Sequence, residues 1–479
     1  MKENTDAQPS RAAAPDRRPP CGVNKPMELR STRYLIVLTV MWGALSFLWT
    51  VLSNNIVPTR VLSFATEANK GTVLGLATVI GAFVSMLVGP ITGVLSDESR
   101  SRWGRRRPFL AVGTAANAVA LLALIGARTL AGFILAFIAV QLFANFAGFP
   151  YTALIPDQVP DMQKGKATGF AGFAEVIGRL AGAIVGGLMI SAPAAAAVLG
   201  ARLFFLPGAL RGDPMLPLVL LTVAVTVGAM LFTVTLVREE VPAIPPKRQR
   251  AYLLRHAFTF DVRAEANFAW LLAARACRML AINTIATFLL YYVRDYLGTS
   301  DVGEANAKLG YLFAVSSVTT LPSALAVGYL IDRHQRRKLW VYASSAGLAL
   351  VCLAFIAVRD FSQALLVGAG FGLCYGAYFT SDWALALSLL PKGDEAAKYM
   401  GIWGIAGTLP QVLAPGIGGL LLDTFNRMGP NWGYPVLFVT VVFYLLIGTV
   451  MLAKVSEPVS SAGGAGSAPP VELVRPARS

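Results

Sequence analysis

The sequence predicts an all-α membrane protein whose twelve transmembrane helices form two pseudo-symmetric six-helix bundles. Three observations lead there. Hydrophobic residues make up 55% of the 479 positions and mean hydropathy is +0.60, above the roughly 45–50% apolar share of soluble domains, so most of the chain must face lipid. Twelve apolar runs reach the ~20 residues a helix needs to cross about 30 Å of hydrocarbon. The chain also repeats itself at an offset near 232 residues, as a duplicated half requires.

Residues 1–33 are polar, with Pro and Arg throughout. They lack an apolar core followed by a cleavage signal, and read as a disordered cytoplasmic tail rather than a secretory peptide. The first bundle, 34–237, places helices over 34–56, 72–96, 108–127, 130–155, 167–190 and 214–237. Residues 238–265 contain VPAIPPKRQRAYLLRHAF, whose prolines and charges mark a cytoplasmic linker with one short surface helix. The second bundle, 266–454, follows with helices over 266–293, 308–331, 338–358, 361–390, 399–423 and 432–454. The tail 455–479 is rich in Ser, Gly, Ala and Pro and is expected to be disordered.

Charge sets the orientation. With both termini cytoplasmic, 29 of the 41 Lys and Arg fall in cytoplasmic tails and loops, 9 fall outside, and Arg179, Arg275 and Arg278 lie within the membrane. This is the positive-inside pattern, which also accounts for the net charge of +15 without a nucleic-acid partner. Cys21, Cys277, Cys352 and Cys374 are scattered and the histidines are His256 and His334 alone, so neither a disulfide framework nor a metal site is expected.

The repeat is specific in three places. Gly169, Gly172, Gly186 and Gly187 recur as Gly401, Gly404, Gly418 and Gly419 at an offset of 232. Ala153, Leu154 and Pro160 recur as Ala384, Leu385 and Pro391 at 231. Gly93 and Asp97 recur as Gly328 and Asp332 at 235.

A charge inside the bilayer costs about 2.5–3.5 kcal/mol on insertion scales, so each one needs a partner or a wet cavity. Helix 5 carries Glu175 and Arg179, four apart and on one face. They are either an ion pair locking helix 5 to its neighbours, or a site in which Arg179 donates to substrate while Glu175 holds it or exchanges a proton. The position matching Arg179 is Gln411, again a polar donor deep in a helix. Asp382 on helix 10 lies about 13 Å from the cytoplasmic end at helical rise. It is either a proton-coupling carboxylate or the permanent partner of Arg275 or Arg278 on helix 7. Gln141 and Asn145 on helix 4, Tyr378 one turn before Asp382, and Trp403 on helix 11 add amides and rings, with Trp49, Asn54, Tyr291 and Trp383 as lesser candidates. Sugars offer hydroxyls to such donors and apolar faces to aromatic rings, although each ring taken singly also suits packing or an interfacial belt.

Between helices 2 and 3 the chain reads GPITGVLSDESRSRWGRRRPF from Gly89 to Phe109. A carboxylate at Asp97 can take hydrogen bonds from an arginine fork such as Arg105 or Arg106, and so act as a conformational latch. Gly328, Asp332 and Arg336 repeat the plan. These paired Gly-x-x-x-Asp loops resemble the signature of the major facilitator superfamily. The longer first copy is similar to that of the glycoside-pentoside-hexuronide cation symporters and sucrose carriers. Glu98 replaces the usual basic residue, and the second copy is shorter and lacks the Pro-Phe.

The resemblance implies helices 7 and 10 lining a central cavity, and a carrier that works by alternating access. The expected function is proton-coupled uptake of a disaccharide or other glycoside through a bacterial inner membrane, as a monomer, with substrate, protons and lipid as partners and no cofactor. Plant sucrose carriers have an acid within helix 4, where this chain has Asn145, so Glu175 and Asp382 remain for the proton. Export of another small organic solute is the alternative, and a receptor or assembly factor on the same fold is a third reading. An enzyme is not expected, because no H-E-x-x-H, G-x-S-x-G or phosphate-binding loop is present.

Overall fold

The computed structural model describes residues 29–99, 101–191, 213–237, 239, 265–334, 336–389 and 396–456. The tails, most of the stretch 238–264 and residues 192–212 lie outside them. Among the described residues there are twelve long helices and no strand. They are α1 Thr32–Phe64, α2 Lys70–Glu98, α3 Arg107–Gly126, α4 Leu130–Thr152, α5 Asp161–Ile190 and α6 Leu216–Leu236 in the first half. The second half holds α7 Ala266–Tyr296, α8 Val302–His334, α9 Arg337–Ala357, α10 Phe361–Leu389, α11 Ala396–Met428 and α12 Gly433–Ala453. Eleven are long and apolar enough to cross a membrane; the twelfth, α11, has 33 residues.

Helix packing carries the repeat into three dimensions. In the first half α1 packs on α5 and α6, α4 packs on α2 and α3, and α3 packs on α6. Each contact recurs six helices later: α7 on α11 and α12, α10 on α8 and α9, and α9 on α12. The bundles meet through a matching pair of seams, α2 on α11 and α8 on α5. This is a pseudo-twofold arrangement of two six-helix bundles.

Small residues decide which helices approach. Lipid tails give apolar helices little reason to associate, so close van der Waals contact and hydrogen bonds must supply it. A Cβ on Gly178 of α5 would lie 2.0 Å from the Gly43 carbonyl oxygen of α1, and one on Gly182 would lie 3.0 Å from that of Phe47. Between α8 and α10, hydroxyls replace apolar contact. Ser316 donates to the Gly368 carbonyl at 2.9 Å, Thr319 to Ala369 at 2.9 Å, and Thr320 to Gly372 at 3.1 Å.

Several helices exceed their expected lengths. α1 runs on to Phe64 because a π-helical turn, Leu52–Ile56, absorbs one residue without ending the helix. α7 has the equivalent turn at Tyr292–Tyr296. Apolar length does not register either extension, since Pro58, Thr59, Arg60 and Ser63 sit in the first and Arg294 and Asp295 in the second. α4, in contrast, stops at Thr152, and Leu154–Gln158 forms a separate short helix.

The bundles are closed at one end. Asn55 of α1 donates to Asn306 of α8 at 3.0 Å, Asn306 donates to Thr59 at 3.0 Å, and Lys70 of α2 donates to Asp295 of α7 at 2.5 Å. At the other, arginine-rich end, a Cβ on Gly93, Gly169 or Gly172 would meet no neighbouring atom within 4 Å among the described residues.

Candidate functional site

A cavity of about 420 Å³ opens in the wall of the first bundle, built by α1, α4 and α5. Trp42, Trp49, Thr50 and Asn54 come from α1, Asn145 and Phe149 from α4, and Glu175 and Arg179 from α5. Arg179 reaches back one turn to Glu175 at 3.2 Å, and both side chains stay nearly half exposed, at 45% and 41%. The pair is therefore self-neutralising yet wet. Asn145 and Gln141 are both 9% exposed; Asn145 donates to the Gln141 backbone carbonyl at 2.7 Å. The same amide nitrogen also lies 3.4 Å from the Gln141 side-chain oxygen. The indole nitrogen of Trp42 is buried and has no hydrogen-bond partner among the described residues.

A second polar cluster lies in the other bundle. Asp382 of α10 is 1% exposed and is held by both arginines of α7: Arg278 at 3.0 Å, and Arg275 through a short bond to the other carboxylate oxygen. Tyr378 donates to Asp382 at 3.3 Å, and its ring lies beneath Arg278. Arg275 stacks on Trp403 at 4.0 Å. Arg278 is fully buried and Arg275 is 14% exposed, so Arg275 is the one nearer solvent. Two cations on one carboxylate make a charge-assisted network in this conformation.

The sequence-derived candidates thus divide. Arg179, Glu175 and Asn145 come together at the cavity, with Gln141 directly behind. Tyr378 and Trp403 are buried around Asp382, Arg275 and Arg278 and do not line it. Gln411 is exposed on α11, one turn beyond Gly407, which faces Arg275. The side chains of Asp97 and Asp332 lie outside the described residues. Of their neighbours, Arg105 binds Asp157 at 2.6 Å, and Arg106, 5% exposed, binds Asp157 at 3.2 Å and Ser96 through a short bond. Arg336 is exposed, and Gly328 leaves 3.6 Å to the Thr380 methyl group.

Sequence reasoning missed Trp42, which follows the Trp49 spacing of seven and so shares its face. It also missed the closed end, where Lys70, Asp295 and Asp423 sit at or just beyond the limits of apolar runs.

A twelve-helix, two-bundle membrane fold with a cavity of aromatic rings, amides and one ion pair defines the class as that of carrier proteins. The chain belongs to the Major Facilitator Superfamily, which it matches over residues 34–392 and 271–478. It is 31% identical over 163 residues to the multidrug resistance protein MdtG of Citrobacter koseri, a match covering 33% of this chain and 37% of MdtG. It is 26% identical over 167 residues to a D-arabinitol transporter of Klebsiella pneumoniae, covering 34% and 39% of the two chains. The chain thus spans well under half the length of these two relatives. A longer match, 26% over 329 residues, is to the multi-drug resistance efflux pump PmrA of Streptococcus pneumoniae, covering 66% and 71%. Among solved structures, a bacterial homolog of the human lysosomal transporter Spinster, inward-facing and unoccupied, has a TM-score of 0.67 at 15% identity, covering 88% of this chain and 97% of that one. A D-xylose-proton symporter gives 0.61 at 16% identity, covering 87% and 97%. These relatives and neighbours are transporters, not enzymes.

Proposed function

We propose that this protein is a secondary transporter that takes up a sugar or other glycoside with protons by alternating access, from a bacterial inner membrane with both termini cytoplasmic. The observation that carries the reading is the cavity itself: two tryptophans, amides and hydroxyls around one neutralised Glu175–Arg179 pair. Such a wall offers hydrogen bonds and ring faces without net charge, which suits a neutral, hydroxyl-rich solute. The D-arabinitol transporter among the relatives supports the same class. Glu175 is the better proton site of the two acids, because it reaches the cavity while Asp382 is held by two arginines. Closure at the end away from the basic loops corresponds to an inward-open carrier, with the Asp97 and Asp332 loops acting as latches for the opposite state.

Export of a small organic solute is the second reading, supported by the likeness to MdtG and PmrA. Purified protein in proteoliposomes, tested with labelled D-arabinitol, sucrose and lactose with and without an imposed pH gradient, separates the two. Uptake of one of them driven by external acid, with an apparent affinity at least about tenfold weaker in Arg179→Gln, is the expected result; losing a charged donor to a bound hydroxyl costs roughly 1.5–3 kcal/mol. No uptake of any of the three removes the sugar assignment. An unchanged affinity in the variant removes Arg179 from the site.

A further inference from the structure

The helix that opens the α2/α11 seam begins without a cap of its own. Its flanking residue Asn69 turns its side chain back to the Thr66 backbone N–H and hydroxyl, at 2.8 and 2.9 Å. The free N–H groups of the first turn are taken instead by Asp423, which lies 352 residues away on α11 of the other bundle. Gly71 donates to one carboxylate oxygen at 2.9 Å and Thr72 to the other at 2.6 Å. Asp423 is 2% exposed. The approach depends on bare backbone: a Cβ on Gly71 would lie 2.8 Å from the carboxylate, and one on Gly75 would lie 2.3 Å from the Pro415 carbonyl oxygen. The pseudo-symmetric seam is built otherwise. There α8 is capped from its own bundle, by Asp301 accepting from the Glu304 N–H at 2.6 Å, and the residue matching Asp423 is Ser191.

We propose that Asp423 is a positioning residue that locks the closed end, a helix cap lent by one bundle to a helix of the other and lost whenever that end opens. A buried carboxylate facing two N–H donors and the positive end of a helix is stabilised only while the bundles touch. Opening exchanges the two capping bonds for bonds to water and gives up the carboxylate's attraction to the helix end. The cap therefore biases the carrier toward closure at this end, on one seam and not on its twin.

The inference rests on the alternating-access reading above and is independent of the substrate. Its test uses the full chain in nanodiscs, with the four native cysteines replaced and spin labels at Ala68→Cys and Met428→Cys, exposed positions on the two bundles at this end. Double electron–electron resonance then reads the closed and open distances. Asp423→Ala is expected to raise the open-to-closed ratio at least about fivefold, on the scale of a lost helix cap. Asp423→Asn, which keeps one acceptor oxygen, should give a smaller shift. Asp213→Asn, which breaks the 2.8 Å bridge to Arg60 inside the first bundle, should give none. Should Asp423→Ala fail to fold, the Asn variant decides alone. Gly75→Leu, a wedge in the same seam, should open it in any case. An open seam in Gly75→Leu with wild-type distances in the Asp423 variants overturns the lock. A shift in Asp213→Asn equal to that in Asp423→Ala does the same. Unchanged distances in every variant, the wedge included, overturn alternating access along with it.

Discussion

At the scale of single residues, buried charge is decided by what surrounds it. Asp382 meets Arg275, Arg278 and Tyr378 together, so removing its charge leaves two cations facing each other in a low-dielectric bundle. Asp382→Asn is expected to lower unfolding free energy by about 3–5 kcal/mol. Arg275→Gln keeps the Arg278–Asp382 bond and should cost less, about 1–3 kcal/mol from the lost charged hydrogen bond and the ring contact with Trp403. Thermal unfolding in detergent ranks the two; a larger loss for Arg275→Gln would contradict the arrangement. Much of this was legible beforehand. Asp382 and the two arginines stand out as charges in apolar runs, and one arginine as permanent partner was among the alternatives. That both arginines converge on one carboxylate was not, because helix rotation about its own axis leaves no trace in hydropathy.

At the scale of elements, the π-helical turns show how a helix end acquires function. In α1 the turn sends Asn54 to the cavity and Asn55 to α8; in α7 it carries Arg294 and Asp295 toward the first bundle. Glu67, in the connection between α1 and α2, accepts from Lys70 and from Arg294 at 2.8 Å. Burial raises its pKa, but the hydrogen bonds and charges of Lys70 and Arg294 outweigh that, and the net value lies below the ordinary 4.5. A depressed carboxylate value means that its contribution is complete above 4.5 and fades as acid protonates it below that point. The stability gap between wild type and Glu67→Gln should therefore be present near pH 7 and shrink progressively as the pH falls below 4.5. A gap that ignores pH counts against the network. The apolar runs located α1 and α7, taking in the first turn and the start of the second, but apolar length alone does not distinguish a π-turn from the α-helix around it.

At the scale of the whole molecule, one end is knit across both bundles and the other holds bare glycines. Gly93 has space for a side chain in this conformation, whereas a latch that closes the basic end would bring the other bundle against it. Gly93→Leu is expected to fold with an unchanged melting temperature and yet to lose most substrate flux in proteoliposomes. Normal flux would separate Gly93 from the latch, and a large fall in melting temperature would mean that the space is not there.

The amino-acid sequence by itself determined the membrane class, the number of long helices, their order and their twofold repetition. Each of these follows from local quantities, namely apolar length, the spacing of small residues and the density of basic loops. Only the tertiary structure decided that Glu175 and Arg179 share a cavity with Trp42, that Asp382 is doubly held, and that Asp423 caps a helix 352 positions earlier. Those contacts depend on how each helix is rotated and how deeply two bundles press together, and such distances are set by packing across the whole fold rather than by any neighbourhood along the chain.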